Sequence, residues 1–361
     1  MPADLKQDDP SVSNDSRFTT LSQNQSTYPA GNAHGRRAFL KAAALSLSAP
    51  LAMSSARVWA QTPALKKVTI AWSATAVCTV PVPVALKQGY FKQNGLDVSF
   101  INFAGSTDQL LESIATKRAD AGVGMSLRWL KPLEQGFDVK IISGLHSGCI
   151  RLLSSKTGAV NSLAELKGKT IGVSDMASPA KNFFSILLAR QGLDPENDVQ
   201  WRAYPSDLLG QAIQKGEVHA VADNDPVIWL VKKNFDLQEI ASNMTGEYAN
   251  RSCCVLAVSG DMIRHDRPTA EALAKSIVQA SEWTANNPAG AAEIFASYAP
   301  KVPVADLVSM LSSMNHHHHP HDGMLEMEIK DYADDLKLIH VINENTDTSK
   351  FAKKVVANVL A

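Results

Sequence analysis

The chain has 361 residues, 45% of them hydrophobic and 20% charged, which is enough to bury a core for two lobes of ordinary domain size. Its formal net charge of -1 argues against a nucleic-acid surface, which needs a basic field. No run reaches the ~20 apolar residues that a membrane-spanning helix requires.

Met1 to Gly35 is polar, rich in Ser, Asn, Gln and Asp and without apolar periodicity, which predicts a disordered extension. Gly35-Arg36-Arg37-Ala38-Phe39-Leu40-Lys41 is similar to a twin-arginine export signal. A short Ala/Leu core, Ala42 to Met53, and the small-residue end Val58-Trp59-Ala60 follow in the order such signals use. That reading places cleavage before Gln61 and the mature protein in the periplasm; a surface helix with an incidental Arg pair is the alternative.

Val68 to Trp72 reads as a strand, followed by the loop Ser73 to Val80 and a helix containing Tyr90 and Phe91. Ligands of open α/β sheets lie beyond the carboxyl ends of the strands, so Ser73, Cys78 and Thr79 are expected to border a cleft, with Trp72 either beside them or in the core. Two stretches then follow one pattern. Gln93-Asn94-Gly95-Leu96-Asp97 leads to strand 98–103, helix 107–117 and a short strand at 119–123. Arg190-Gln191-Gly192-Leu193-Asp194 leads to strand 199–203, helix 207–215 and a short strand at 218–223. Two similar α/β lobes are the simplest account. The chain passes between them at the strand beginning Ile150-Arg151-Leu152, which precedes a second buried strand, Thr170 to Val173.

Helix starts follow the strands. Gly105 and Ser106 lead one, and Ser178 before Pro179 leads its counterpart; a small residue lets backbone approach a ligand, and a capped helix leaves N–H groups for an anion. The third strands end at Ser126 in one lobe and at Asp223-Asn224-Asp225-Pro226 in the other. Asp225 has the position of a helix cap, whereas Asp223 has no such role and suggests a ligand with a cationic part, or a metal.

Cys78, Cys149 beside His146, and the adjacent Cys253 and Cys254 all fall near the crossings or the cleft. They are candidate ligand contacts, or simply a disulfide staple through Cys149; their spacing matches no zinc signature. His316, His317, His318 and His319, with His321, form a tract between helices 304–314 and 324–338, a compositional signal for a transition metal. An anion site or a plain surface loop are the other readings. Helices 269–287 and 288–299 bury Trp283 and Phe295, and the cluster Asp331, Asp334 and Asp335 reads as a solvated face.

The segment Lys87-Gln88-Gly89-Tyr90-Phe91-Lys92-Gln93-Asn94-Gly95-Leu96-Asp97-Val98 resembles the opening helix–strand unit of periplasmic substrate-binding proteins of ABC importers. The branch is the nitrate, sulfonate and taurine one, the NMT1/THI5-like family. Gly105-Ser106 at a helix start and Leu163-Ala164-Glu165-Leu166-Lys167-Gly168-Lys169-Thr170-Ile171-Gly172-Val173 are similar to two further signatures, and the likeness runs from about Val68 to Leu360. It implies an α/β, two-lobed periplasmic binding protein fold with a hinge, type II-like. Residues 1–60 would be extension and signal, 61–152 with 256–361 one lobe, and 153–255 the other. It further implies a monomer that captures a small solute, without catalysis or an obligatory cofactor, and presents it to a membrane permease. Two alternatives stand beside this. One is a transition-metal or metal-complex binder using the His tract and the cysteines. The other is an enzyme similar to the pyrimidine-precursor synthase of thiamine biosynthesis, whose longer Cys-rich run is represented here by Cys253-Cys254 alone.

Overall fold

In the computed structural model, residues 64–103, 107–158 and 160–360 are described. The expected extension and export signal, and the helix-start residues Gly105 and Ser106, lie outside the described residues. The first sheet opens with four strands: β1 (Lys66–Trp72), β2 (Leu96–Asn102), β3 (Ala121–Met125) and β4 (Val139–His146). The chain then leaves it to build β5 (Ile150–Ser155), β6 (Thr170–Val173), β7 (Gln200–Ala203), β8 (Ala220–Asn224) and β9 (Leu237–Ser242). It returns to add β10 (Cys254–Ser259) to the first sheet.

The two strand orders, β2-β1-β3-β10-β4 and β7-β6-β8-β5-β9, repeat one plan. In each sheet three neighbouring strands run parallel, and the next one, delivered directly from the other sheet, runs antiparallel between them and the edge. Gly95 and Gly192 occupy matching places before β2 and β7, with φ of 80° and 81°, where L side chains are strained and glycine is not. The pattern repeated in the sequence is therefore repeated in the backbone.

Helices α1 (Pro81–Lys87), α2 (Tyr90–Gln93), α3 (Thr107–Ala115) and α4 (Ser126–Glu134) accompany the first sheet. The second carries α5 (Pro179–Arg190), α6 (Leu209–Gln214) and α7 (Val227–Asn234). After β10 come α8 (Gly260–His265), α9 (Arg267–Asn286), α10 (Pro288–Ala296), α11 (Val304–Ser313), α12 (Asp322–Leu338) and α13 (Thr348–Val355). None of the described helices is long and apolar enough to cross a membrane.

β3 is buried along its whole length and spells Ala-Gly-Val-Gly-Met. Its small residues are required: a Cβ at Gly124 would stand 2.0 Å from the ring of Trp129 on α4, so the indole can lie against the strand only where no side chain intervenes. α12 places Leu325, Ile329, Tyr332 and Leu336 on one buried stripe and packs on α4, α5, α13 and β4. Asp335, expected on a solvated face, is instead buried on that helix. It accepts from the Tyr248 hydroxyl at 3.0 Å, from Arg251 at 2.9 Å and from Arg190 at 2.5 Å. The three donors come from α5 and from the return passage before β10, too far away in sequence to be foreseen from α12 itself. Phe295 is fully buried as expected, whereas Trp283 is half-buried.

Candidate functional site

The carboxyl ends of β1, β3, β6 and β8 converge on a cavity of about 280 Å³. From the first sheet it is lined by Ser73, Cys78, Met125 and Arg128, and from the second by Ser174, Asp175, Ser178, Asp223 and Asn224; Cys254 at the start of β10 completes the floor. This is where open α/β sheets bind ligands, because loops and helix starts meet there and strand backbone is already paired. The loop after β1 is held by two side chains: the Thr79 hydroxyl shares its proton between the carbonyls of Ser73 and Ala76, both at 2.8 Å, and Asn102 Oδ1 of β2 accepts from Ala74 N–H at 2.9 Å. Trp72 belongs to the core, edge-on to Tyr298 with ring centres 5.0 Å apart. Ser178 caps α5, its hydroxyl accepting from Lys181 N–H at 3.1 Å.

Two charged groups give the cavity its character. Asp223 is 3% exposed; its carboxylate accepts from Asn224 N–H at 2.8 Å and from Ser206 Oγ at 3.4 Å. Burial pushes its carboxyl up to about 6. Arg128, a residue the sequence reading did not select, stands in the first turn of α4. Its Nε donates to Asp108 at 2.6 Å, and Nη2 reaches Asp175 of the second half at 3.3 Å. Nη1 is buried and has no hydrogen-bond partner among the described residues. The available signal was a lone basic residue two places past the carboxyl end of a buried strand.

Of the other expected contacts, Ser126 is fully buried away from the cavity and donates to the Ser252 carbonyl at 2.8 Å. Asp225 caps no helix. Arg151 grips it in a buried ion pair at 3.0 Å and also binds Glu239 at 2.7 Å, with the guanidinium 5.0 Å from the Trp229 ring. Burial pushes the Asp225 carboxyl up to about 6 even against that cation.

All four cysteines are free and buried, so no staple forms among them. Cys149 and Cys253 lie off the cavity, on the two passages between the sheets, with sulfur atoms 3.3 Å apart. His146 ends β4 directly opposite Cys254 on β10, and the donor atoms of Cys78, His146 and Cys254 all fall within 4.8 Å of one another. Hydrogen bonds from the Cys149 and Cys254 thiols hold the Cys78 thiol well below its ordinary range. The histidine tract divides. His316 turns inward to His146, ring centres 5.1 Å apart, and burial drives its imidazole well below the usual range. The other three do not reach the cysteines. His317 and His319 pair with Glu282 at 3.0 and 2.5 Å, and His318 pairs with Glu328 at 2.7 Å, because those carboxylates stand on α9 and α12 beside the loop.

Two mixed sheets with a cleft at their strand ends define the periplasmic binding protein fold. The alkanesulfonate-binding protein SsuA of Xanthomonas axonopodis pv. citri, solved bound to MOPS, superposes with a TM-score of 0.67 at 18% identity, over 82% of this chain and 99% of that one. The periplasmic nitrate-binding protein NrtA of Synechocystis PCC 6803 does so with a TM-score of 0.65 at 12% identity, over 82% and 87%. The family described as NMT1/THI5 like matches residues 79–291, and the chain belongs to it. Among curated proteins, the 4-amino-5-hydroxymethyl-2-methylpyrimidine phosphate synthase THI11 of Saccharomyces cerevisiae is 28% identical over 122 residues. That match covers 33% of this chain and 34% of the yeast protein, about a third of its length.

Proposed function

We propose that the protein is the solute-binding component of an ABC importer. It captures a small organic anion bearing a hydrogen-bond-donating or cationic end, as a taurine-like aminosulfonate does, and delivers it to a membrane permease. The observation that carries this is Arg128, which spans the cavity from α4 to Asp175 with one guanidinium nitrogen unpartnered, opposite the buried carboxylate of Asp223. An oxyanion satisfies the free Nη1, and a donor satisfies Asp223; nitrate or sulfate alone would leave Asp223 facing a like charge. The residues come from both sheets, so binding draws the two halves together and a hinge at the passages before β5 and β10 completes the capture.

Calorimetric titration with taurine, an alkanesulfonate and nitrate tests this reading. Taurine should bind tightest, and Arg128→Gln should weaken it about ten- to hundredfold, the ~1.5–3 kcal/mol of a charged hydrogen bond. Equal affinity in that variant, or no binding by any of the three, would overturn the assignment. The yeast match favours a second reading, the pyrimidine-precursor synthase. Formation of a pyrimidine on incubation with pyridoxal phosphate and iron would establish that enzyme in place of the binder.

A further inference from the structure

Behind the cavity floor, three segments distant in sequence gather soft donors within 4.8 Å of one another, and a fourth brings an imidazole against them. Cys78 comes from the turn after β1, His146 from the end of β4, Cys254 from the start of β10, and His316 from the loop after α11. None is more than 2% exposed. Buried imidazoles ordinarily satisfy their nitrogens, because each unpaired polar atom costs about 1–3 kcal/mol. Here His146 Nε2 and both nitrogens of His316 are buried without a hydrogen-bond partner among the described residues, while His146 Nδ1 is engaged with the Ser147 carbonyl at 3.2 Å. Each neutral imidazole has one lone-pair nitrogen, so His146 and His316 offer two nitrogen donors beside two thiols, a set suited to a Lewis-acidic ion more than to a packed core.

We propose that Cys78, Cys254, His146 and His316 form a resident tetrahedral site for a thiophilic divalent metal ion, with zinc as the fitting occupant. In a tetrahedral zinc site with bonds of about 2.3 Å to sulfur and about 2.0 Å to nitrogen, neighbouring donor atoms are about 3.3–3.8 Å apart and two imidazole ring centres about 5 Å apart. The ring centres of His146 and His316 already stand 5.1 Å apart; the donor atoms of Cys78, His146 and Cys254, within 4.8 Å of one another, contract by about 1 Å on loading, and the His316 ring moves in to complete the set. Binding breaks two S–H bonds, forms two S–Zn and two N–Zn bonds, and releases two protons to solvent; nothing is oxidised or reduced. The ion reaches the site from the cavity, which Cys78 and Cys254 also line. Once bound, it would tie the loop after β1 and the 316 loop to both ends of the passages between the sheets. It is a fixed part of the scaffold and distinct from the transported solute.

Anaerobic titration of the reduced, chelator-stripped full chain with cobalt(II), followed by zinc(II), tests the proposal. The expected result is a sulfur-to-cobalt charge-transfer band with the intense visible bands of tetrahedral cobalt(II), saturating at a single equivalent and abolished by an equivalent of zinc. Cys78→Ser should remove about half of the charge-transfer intensity, and His316→Gln should weaken cobalt binding at least tenfold. Cys149→Ser and Cys253→Ser should keep the full charge-transfer intensity, at most shifting the band, because their thiols touch Cys78 and Cys254 without being ligands. Absence of the charge-transfer band in the natural protein overturns the proposal, as does a Cys78–Cys254 disulfide in a peptide map of the isolated protein. Loss of about half of the charge-transfer intensity in Cys149→Ser or Cys253→Ser overturns the donor set. Taurine titration of the zinc-free and zinc-loaded forms reports the solute site separately, so failure of one reading leaves the other intact.

Discussion

Replacing Asp223 by Asn should change stability by an amount that pH controls. Burial lifts the folded-state carboxyl from 3.8 to about 6, while the unfolded chain keeps the ordinary value. Below the unfolded value the group is neutral in both states, and the contribution of the neutral, buried form is fully present. As pH rises towards about 6 the unfolded chain ionises first, and that contribution is lost. A shift of about two units corresponds to about 3 kcal/mol. Asparagine has nearly the same shape and stays neutral throughout. The ligand-free variant should therefore gain up to about 3 kcal/mol over the natural chain between about pH 4 and pH 7.5. Any fixed cost of exchanging an oxygen for an amide beside Asn224 and Ser206 cancels when the two pH values are subtracted. Asp225 also titrates near 6 but is present in both proteins, so only its coupling to Asp223 survives the subtraction. Urea unfolding at both pH values, followed by tryptophan fluorescence, is the assay. The same free-energy difference at the two values would refute the argument that the folded protein holds a carboxylate it would rather keep protonated.

Gly124→Ala should destabilise the protein by about 1–3 kcal/mol, because the added methyl meets the Trp129 ring and either the indole or β3 must move; an unchanged urea midpoint would show that α4 gives way freely. Asp335→Asn should cost about 2–4 kcal/mol, since it leaves Arg190 and Arg251 facing α12 without their shared carboxylate. A cost below about 0.5 kcal/mol in the same assay would mean that these pairs behave as exposed ones.

The repeated strand–helix–strand pattern was legible because periodicity and the two left-handed glycines are local features, each readable within about ten residues. Ser73, Cys78, Ser178, Asp223 and Cys254 were legible as cavity residues for a related reason: each sits at a strand or helix end, and the topology alone sends those ends to the cleft. Asp225 looked like a cap because the cation that holds it, Arg151, lies on a strand before the whole α/β repeat of the second sheet. Arg128 was hidden because spacing shows that a residue is near a strand end, but not that its side chain crosses a cavity. The histidine tract looked uniform in sequence and is not so in space: a turn at Asn315 sends His316 inward, while His318 meets Glu328 of the helix that follows and His317 and His319 meet Glu282 of the distant α9.

β10 lies between β3 and β4, yet the entire second sheet is synthesised between β4 and β10. Until residue 259 has been made, β3 and β4 each present an unpaired edge that only a strand arriving late can fill, and such edges are templates for association with other chains. The second sheet has no such gap, since β5 to β9 are contiguous in sequence and can close on themselves. Folding is therefore ordered by chain connectivity: the inserted half can form while the outer half waits. Among the ten strands, the pairing of β10 with β3 spans the longest sequence separation, and contacts of that kind carry the greatest loop-closure cost in folding.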